Sequence, residues 1–310
     1  MWKRIRSLPL LWTVVGAAIV LAPSFTRGVG YRTGYFLQLY SLLPIWIAAA
    51  LSLTMITGYI GEVSLGQGAL MGVAAYVSAV LSTRGVPIVI SVIAALVMAV
   101  IGAMILGFPT LRIRGPYFVV SSMAFNGMFY ELALNWLPVT GGPSGISNVP
   151  SYALVPFIGQ YVPWVVAAIC MLAVWYIGQT RLGKSMMAVR EDEMAAGAIG
   201  LRVAFLKSIA FLISGLVAGL AGVSLVHFVG FVSPEFYSIN QSLLLLTMVL
   251  LGGARRVEGA VVGCLLMFIV QEVLRPFAEV QLLCYGVVML LVVQFFPRGL
   301  VSLFERQSSQ

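Results

Sequence analysis

The sequence predicts an all-α, polytopic membrane protein of about ten transmembrane helices, and three observations carry that prediction. Apolar residues make up 61% of the chain and charged residues only 9%. The mean hydropathy is +1.03. Successive apolar runs approach the roughly 20 residues that a helix needs to cross a bilayer, and stretches such as VPIVISVIAALVMAVIGAMILG (86–107) lack the polar face that a helix in a soluble domain turns to water.

The spans follow in order. MWKRIRSLPLLWTVVGAAIVLAPSF places basic residues before a short apolar run, which also describes a secretory signal, but no convincing small-x-small cleavage site follows. It is read as an uncleaved first helix over 8–23. Nine further apolar runs are read as spans over 36–57, 68–83, 86–107, 116–137, 160–178, 208–227, 240–253, 259–275 and 281–297, making 1–310 a single transmembrane domain. With a cytoplasmic amino terminus, both termini are cytoplasmic. Lys3, Arg4, Arg6, Arg112, Arg114, Arg181, Lys184, Arg190, Arg202, Lys207, Arg255, Arg256, Arg298 and Arg306 then fall inside, and only Arg27, Arg32, Arg84 and Arg275 outside. That asymmetry follows the positive-inside rule. The net charge of +8 therefore reports topology and gives no reason to expect nucleic acid.

Glycine marks the second span's end. GYIGEVSLGQGALMG (58–72) surrounds a single carboxylate, Glu62, with five glycines, too many for a regular helix throughout. Gly61, Glu62, Ser64, Gly66 and Gln67 read either as a broken helix lining a pathway or as close helix packing through small residues. A short echo, AGVSL at 221–225 against GEVSL at 61–65, would fit two halves of inverted orientation, spans two to five and seven to ten.

Charge inside a span needs a partner or a wet cavity. Glu272 has Arg275 one helical turn away, and Glu258 has Arg255 nearby. Glu131 has no basic neighbour and is flanked by Asn126 and Asn135, so it is a candidate pathway or interhelical residue as well as an interfacial one. His227, the only histidine, reads as packing or interface rather than a proton relay. Cys170, Cys264 and Cys284 lie unpaired in apolar runs and read as small hydrophobes, with no metal site or cofactor implied. No clustered carboxylates, nucleophile elbow or GxxxxGK[ST] loop appears, so the chain reads as a conduit or carrier rather than an enzyme.

Eight of the charged residues crowd into 181–207, RLGKSMMAVREDEMAAGAIGLRVAFLK, which is expected to be a cytoplasmic interaction loop. In SMMAVREDEMAAGAIGL, Met187, Met194 and Ala198 are expected to share one face of a short helix ended by Gly200, with Arg190, Glu191, Asp192 and Glu193 as polar contacts and Ala196 within it. Three consecutive acids suit a protein groove better than anionic lipid.

The chain resembles the LivM-type permease subunits of branched-chain amino acid ABC importers. The resemblance is carried by GYIGEVSLGQGALMGVAAY (58–76), LRIRGPYFVVSSMAF (111–125), LNWLPVTGGPSGI (134–146), RLGKSMMAVREDEMAAGAIGL (181–201), LLGG with GAVVG (250–253 and 259–263) and FFPRGL (295–300), in the family's order. It implies a bacterial or archaeal plasma-membrane subunit whose segment 181–201 docks on an ATPase. The implied partners are a homologous second permease, two cytoplasmic ABC ATPase subunits, an extracytoplasmic solute-binding protein meeting outer loops 138–157 and 228–239, and the lipid bilayer. Relatives usually carry an amide at Glu62, a histidine at Gln67 and GGxG where Gly252, Gly253, Ala254 and Arg255 stand, and some move urea, amides or aromatic acids. The rival reading is a self-sufficient carrier or channel using Glu62 or Glu131 as an ion site.

Overall fold

The computed structural model describes residues 32–111, 113, 115–152, 159, 161–274 and isolated positions between 283 and 294. The expected first span and both termini lie outside the described residues, as do Arg275, Cys284 and most of the expected tenth span. Among the described residues the elements are helical: α1 (Arg32–Leu53), a π turn (Thr54–Ile60), α2 (Gln67–Thr83), α3 (Ile88–Gly107), α4 (Pro116–Asn135), α5 (Leu137–Thr140), α6 (Val162–Gln179), α7 (Arg181–Glu191), α8 (Glu193–Ala198), α9 (Val203–Val229), α10 (Ile239–Gly252) and α11 (Val257–Leu274). Six described stretches are long and apolar enough to cross a membrane, namely Gln38–Ile60, α3, α6, α9, Pro234–Gly252 and α11. The expected third span is the shorter apolar helix α2, and the expected fifth is α4, whose 20 residues include Asn126, Glu131 and Asn135.

Lipid cannot drive apolar helices together, so close backbone approach through small residues has to do so. α9 lies at the centre, against α1, α2 and α3. Its glycines remove the spacing that side chains impose: a Cβ on Gly215 would stand 2.5 Å from Ala103 Cβ, and one on Gly222 only 2.1 Å from the Met71 carbonyl oxygen. The pair α10 and α11 meets in the same way. A Cβ on Gly259 would lie 2.2 Å from Gly253 O, and one on Gly263 would lie 1.8 Å from Met248 O. The LLGG and GAVVG runs are therefore a packing seam. α3 instead turns Ile90, Ile93, Ile101 and Ile105 outward, as its mean hydropathy of 2.9 requires of a lipid-facing helix.

The two expected outer loops are brought together. Ile146 and Val232 form an antiparallel bridge with N–H to O distances of 2.9 and 3.1 Å, and Val149 N donates to Gly230 O at 3.1 Å. His227, 2% exposed, fastens this corner. Its Nδ1 lies 2.7 Å from Pro150 O, which can only accept, so Nδ1 carries the proton and Nε2 accepts from Ser78 Oγ at 2.8 Å. The packing role expected of this histidine is the one its geometry shows. The GEVSL and AGVSL echo does not extend to local structure: 61–65 is non-helical, whereas 221–225 lies within α9.

Candidate functional site

The helix that begins as α1 does not run on into α2. Its hydrogen-bond register widens to a π turn at Thr54, and residues 61–66 are non-helical before α2 starts at Gln67. Gly61 makes the break, with a left-handed φ of +90° and a Cβ position only 2.7 Å from Arg190 Cγ, so that no larger residue fits. Buried non-helical backbone needs partners from the protein itself. Ser122 Oγ accepts from Leu65 N at 2.9 Å, and Asn126 Nδ2 donates to Leu65 O at 3.0 Å. Ser242 Oγ accepts from Gly68 N at 3.0 Å and from Asn126 Nδ2 at 2.6 Å. Within the break, Thr57 Oγ1 donates to Glu62 O at 3.1 Å and Ser64 Oγ accepts from Gly66 N at 3.2 Å. Gln67, fully buried, lies 3.0 Å through Oε1 from Ser52 Oγ and 3.2 Å through Nε2 from Ser214 Oγ. The candidates Gly61, Glu62, Ser64, Gly66 and Gln67 thus form one polar core, held by α1, α4, α9 and α10.

The charged segment is two helices, not one. Asp192 adopts an extended conformation (φ −155°, ψ 112°) and its carboxylate accepts from Met194 N at 2.8 Å and Ala195 N at 3.0 Å, capping α8. Gly200, at φ +87°, ends that helix. Its N–H reaches Gly197 O at 3.0 Å and that of Leu201 reaches Ala196 O at 3.1 Å, the paired bonds of a Schellman stop. The cap at Asp192 breaks the helical period, so Met187, Met194 and Ala198 do not share one face as expected. Met187 packs inward against the core, Ala196 is buried, and Met194 and Ile199 stand 77% and 75% exposed.

These two helices sit directly on the broken helix. Arg190 Nη1 donates to Gly58 O. Lys207, 2% exposed near the start of α9, places Nζ 3.3 Å from Glu62 Oε1 and 3.1 Å from Glu193 Oε2. One buried ammonium therefore joins α8 to the non-helical stretch, and removing one partner of such a buried pair typically costs about 3–5 kcal/mol. Arg255 pairs with Glu191 at 3.0 Å rather than with Glu258 as expected. The reason is positional: the turn carrying Arg255 lies against the π turn, where a Cβ on Gly58 would meet Ala254 O, and so beside α7. Both groups of that pair are about two-thirds exposed, so the pair adds little stability. Burial first, and then the Arg255 guanidinium, push the Arg190 pKa below its ordinary value against the opposing pull of Glu191. An arginine stays charged through such a shift.

Glu131 is not part of this constellation. It is exposed on α4, where Asn135 Nδ2 donates to its Oε2 at 3.2 Å and to its backbone oxygen at 2.9 Å. A groove of about 570 Å³ opens on the same helix, lined by residues that include Val120, Ala124, Gly127, Tyr130, Glu235 and Asn240, with Tyr130 OH donating to Glu235 at 2.8 Å. None of the expected pathway residues lines it. Lys207 was legible only as a member of the charged segment 181–207, and Asn126, Ser122, Ser214 and Ser242 were not legible as site residues. Their one sequence signal is a polar group inside an apolar helical run, which in lipid calls for an internal partner. Cys170 and Cys264 are buried free thiols, and no group of three or more His, Cys, Asp or Glu residues gathers among the described residues.

Comparison with known proteins bears on what this arrangement serves. Residues 35–293 match the family model of the branched-chain amino acid transport system permease component. The high-affinity branched-chain amino acid transport permease LivM of Escherichia coli K12 is 30% identical over 94% of this chain and 75% of its own length. A probable LivM of Methanocaldococcus jannaschii is 27% identical over 66% of this chain and 68% of its own length. The autoinducer 2 import permease LsrC of Salmonella typhimurium is 22% identical over 76% of this chain and 70% of its own length. Among solved structures, a chain of a transporter described as of the metal-chelate ABC type, in an inward-facing conformation, superposes with a TM-score of 0.50 at 16% identity, over 93% of this chain and 97% of that one, a likeness of fold alone. With the family model covering most of its length, this chain belongs to the permease components of branched-chain amino acid transport systems.

Proposed function

We propose that the chain is the membrane-spanning subunit of an ABC importer that moves branched-chain amino acids, or related small polar solutes such as urea or amides, into the cytoplasm by ATP-driven alternating access. It works in a bacterial or archaeal plasma membrane, with a homologous second permease, two cytoplasmic ATPase subunits and an extracytoplasmic solute-binding protein. The reading takes the chain as about ten spans in two inverted halves, with both termini and the 181–207 segment cytoplasmic. The joined loops around Ile146 and Val232 receive the binding protein.

One observation carries this reading. Segment 181–201 grips the broken helix through Arg190 and, by way of Lys207, through Glu193, while it leaves Met194 and Ile199 outward for another protein. A push on α8 thus reaches the non-helical stretch through buried polar contacts. The energetic requirement is that the ATPase and binding protein differ in affinity for the inward- and outward-facing states. The solute path runs along α4, whose exposed side carries Glu131 and Asn135 near the groove with Tyr130 and Glu235, together with the apolar Val120, Met123 and Met128. The rival carrier reading is disfavoured because Glu62 is engaged by Lys207 and Glu131 by Asn135.

Proteoliposomes test it. Leucine uptake is expected only when the two permeases, ATPase, ATP and binding protein are all present. Uptake by the purified chain alone, without ATP, would establish the rival.

A further inference from the structure

The groove on α4 has two unlike ends. Val120, Met123, Ala124, Gly127 and Tyr130 line it, and their spacing of three and four residues puts them on one stripe of the helix, about 15 Å long at the usual rise per residue. The stripe is apolar until Tyr130, whose hydroxyl donates to Glu235 Oε1 at 2.8 Å. Glu235 belongs to the turn Pro234–Tyr237. Pro234 and Tyr237 are buried, so the turn is anchored and Glu235 between them stands exposed, with its N–H on Ser233 Oγ at 3.4 Å.

Charge decides what such a groove accepts. Among the described residues none of the salt bridges includes Glu235, and the bond from Tyr130 uses one oxygen of a group that accepts through two. A carboxylate at the end of an apolar wall is complementary to a cation that carries a hydrocarbon chain, and a hydrogen bond between ions is roughly twice as strong as a neutral one. Urea and simple amides also have N–H donors, but they bring neither the charge nor the apolar surface that this wall would take from water. Ser238 and Asn240, which line the groove too, supply a hydroxyl and an amide for the carboxylate of a zwitterion. The volume of about 570 Å³ is that of an ordinary small-molecule site.

Resting on the reading that the solute path runs along α4, we propose that Glu235 is a specificity-determining residue whose carboxylate takes the solute's ammonium group while an aliphatic side chain lies along Val120, Met123, Ala124 and Gly127. The groove is then a site for amino acids with aliphatic side chains, and it admits urea and simple amides poorly. Tyr130 is a positioning residue. Its hydroxyl holds the Glu235 carboxylate at the end of the apolar stripe.

Gly127→Cys supplies the probe, since the residue lines the groove and a Cβ there meets nothing within 4 Å. In the detergent-solubilised complex of both permeases and the ATPase, the rate at which N-ethylmaleimide alkylates this thiol is measured with each solute added, and the complex without the substitution is the blank. Leucine and isoamylamine should each slow alkylation. Urea should leave it unchanged, as should 4-methylpentanoate, which has leucine's side chain and carboxylate without the ammonium. Adding Glu235→Gln should leave the unprotected rate as it was and raise the leucine concentration for half-protection about 10-fold or more, the loss expected of a hydrogen bond to a charged group. Glu235→Asp keeps the charge and should restore most of the protection. Equal protection by 4-methylpentanoate, no protection by leucine, or an unchanged half-protecting concentration in Glu235→Gln overturns the assignment. So does a thiol that reacts in the chain alone and not in the complex, because the second permease then fills the groove. The functional reading fails separately, if the unmodified complex shows no ATP-dependent leucine uptake in proteoliposomes with its binding protein.

Discussion

Asp192 shows how a single side chain sets the shape of the charged segment. Its carboxylate takes two backbone N–H groups at the start of α8, so it acts on the helix before it acts on any partner. Asp192→Ala should loosen the six-residue helix Glu193–Ala198 by about 1 kcal/mol, the usual worth of such a cap. Amide hydrogen exchange over 193–198 should then quicken about 5-fold, with Asp192→Asn close to the unmodified protein because asparagine caps nearly as well. Equal exchange in the alanine variant would remove the cap from the account. Glu191, by contrast, is exposed and paired with exposed Arg255, so reversing its charge addresses a surface without unwinding a helix. Charge reversals at the two positions are thus different experiments despite their adjacency.

Among the elements, α10 and α11 depend on three backbone approaches that only glycine permits. Gly252, Gly259 and Gly263 each bring one helix within contact of the other's carbonyl groups. Gly263→Leu should separate the pair and lower the detergent melting temperature of the chain, with a loss on the order of 1–3 kcal/mol as for other overpacked interiors. Gly127→Ala on α4 is the matched control, since a Cβ there meets nothing within 4 Å and the melting temperature should hold or rise slightly. The break between the π turn and α2 is the opposite kind of element. Its Leu65 N–H and carbonyl are taken up by Ser122 and Asn126 of a helix distant in sequence, and Ser242 takes the N–H of Gly68 where α2 begins.

At the scale of the molecule, three features meet on one side: the charged helices, the break and the turn between α10 and α11. The apolar side chains Met194 and Ile199 project from that cluster and are not needed by the chain's own packing. Met194→Lys with Ile199→Lys should leave insertion and melting temperature unchanged while reducing ATPase co-purification about 10-fold or more, as expected where buried apolar anchors are lost from an interface centre. Unchanged co-purification would place the docking surface elsewhere.

The sequence alone determined the class, the approximate places of the described spans, the family and the segment that stands out in charge. These are properties of composition and local order, because lipid requires long apolar runs and backbone satisfied within each helix. It also located the Gly-rich break, since glycine density is a local signal, but left open whether those residues lined a path or packed. Only the tertiary structure decided that Lys207, at one end of the charged segment, lies between Glu62 and Glu193, respectively 145 and 14 residues away in sequence. Nor did the chain's order disclose that Asp192 splits the expected helix, or that Arg255 turns to Glu191. Periodicity describes one helix at a time, whereas a buried charge takes its partner from whichever helices the fold brings beside it.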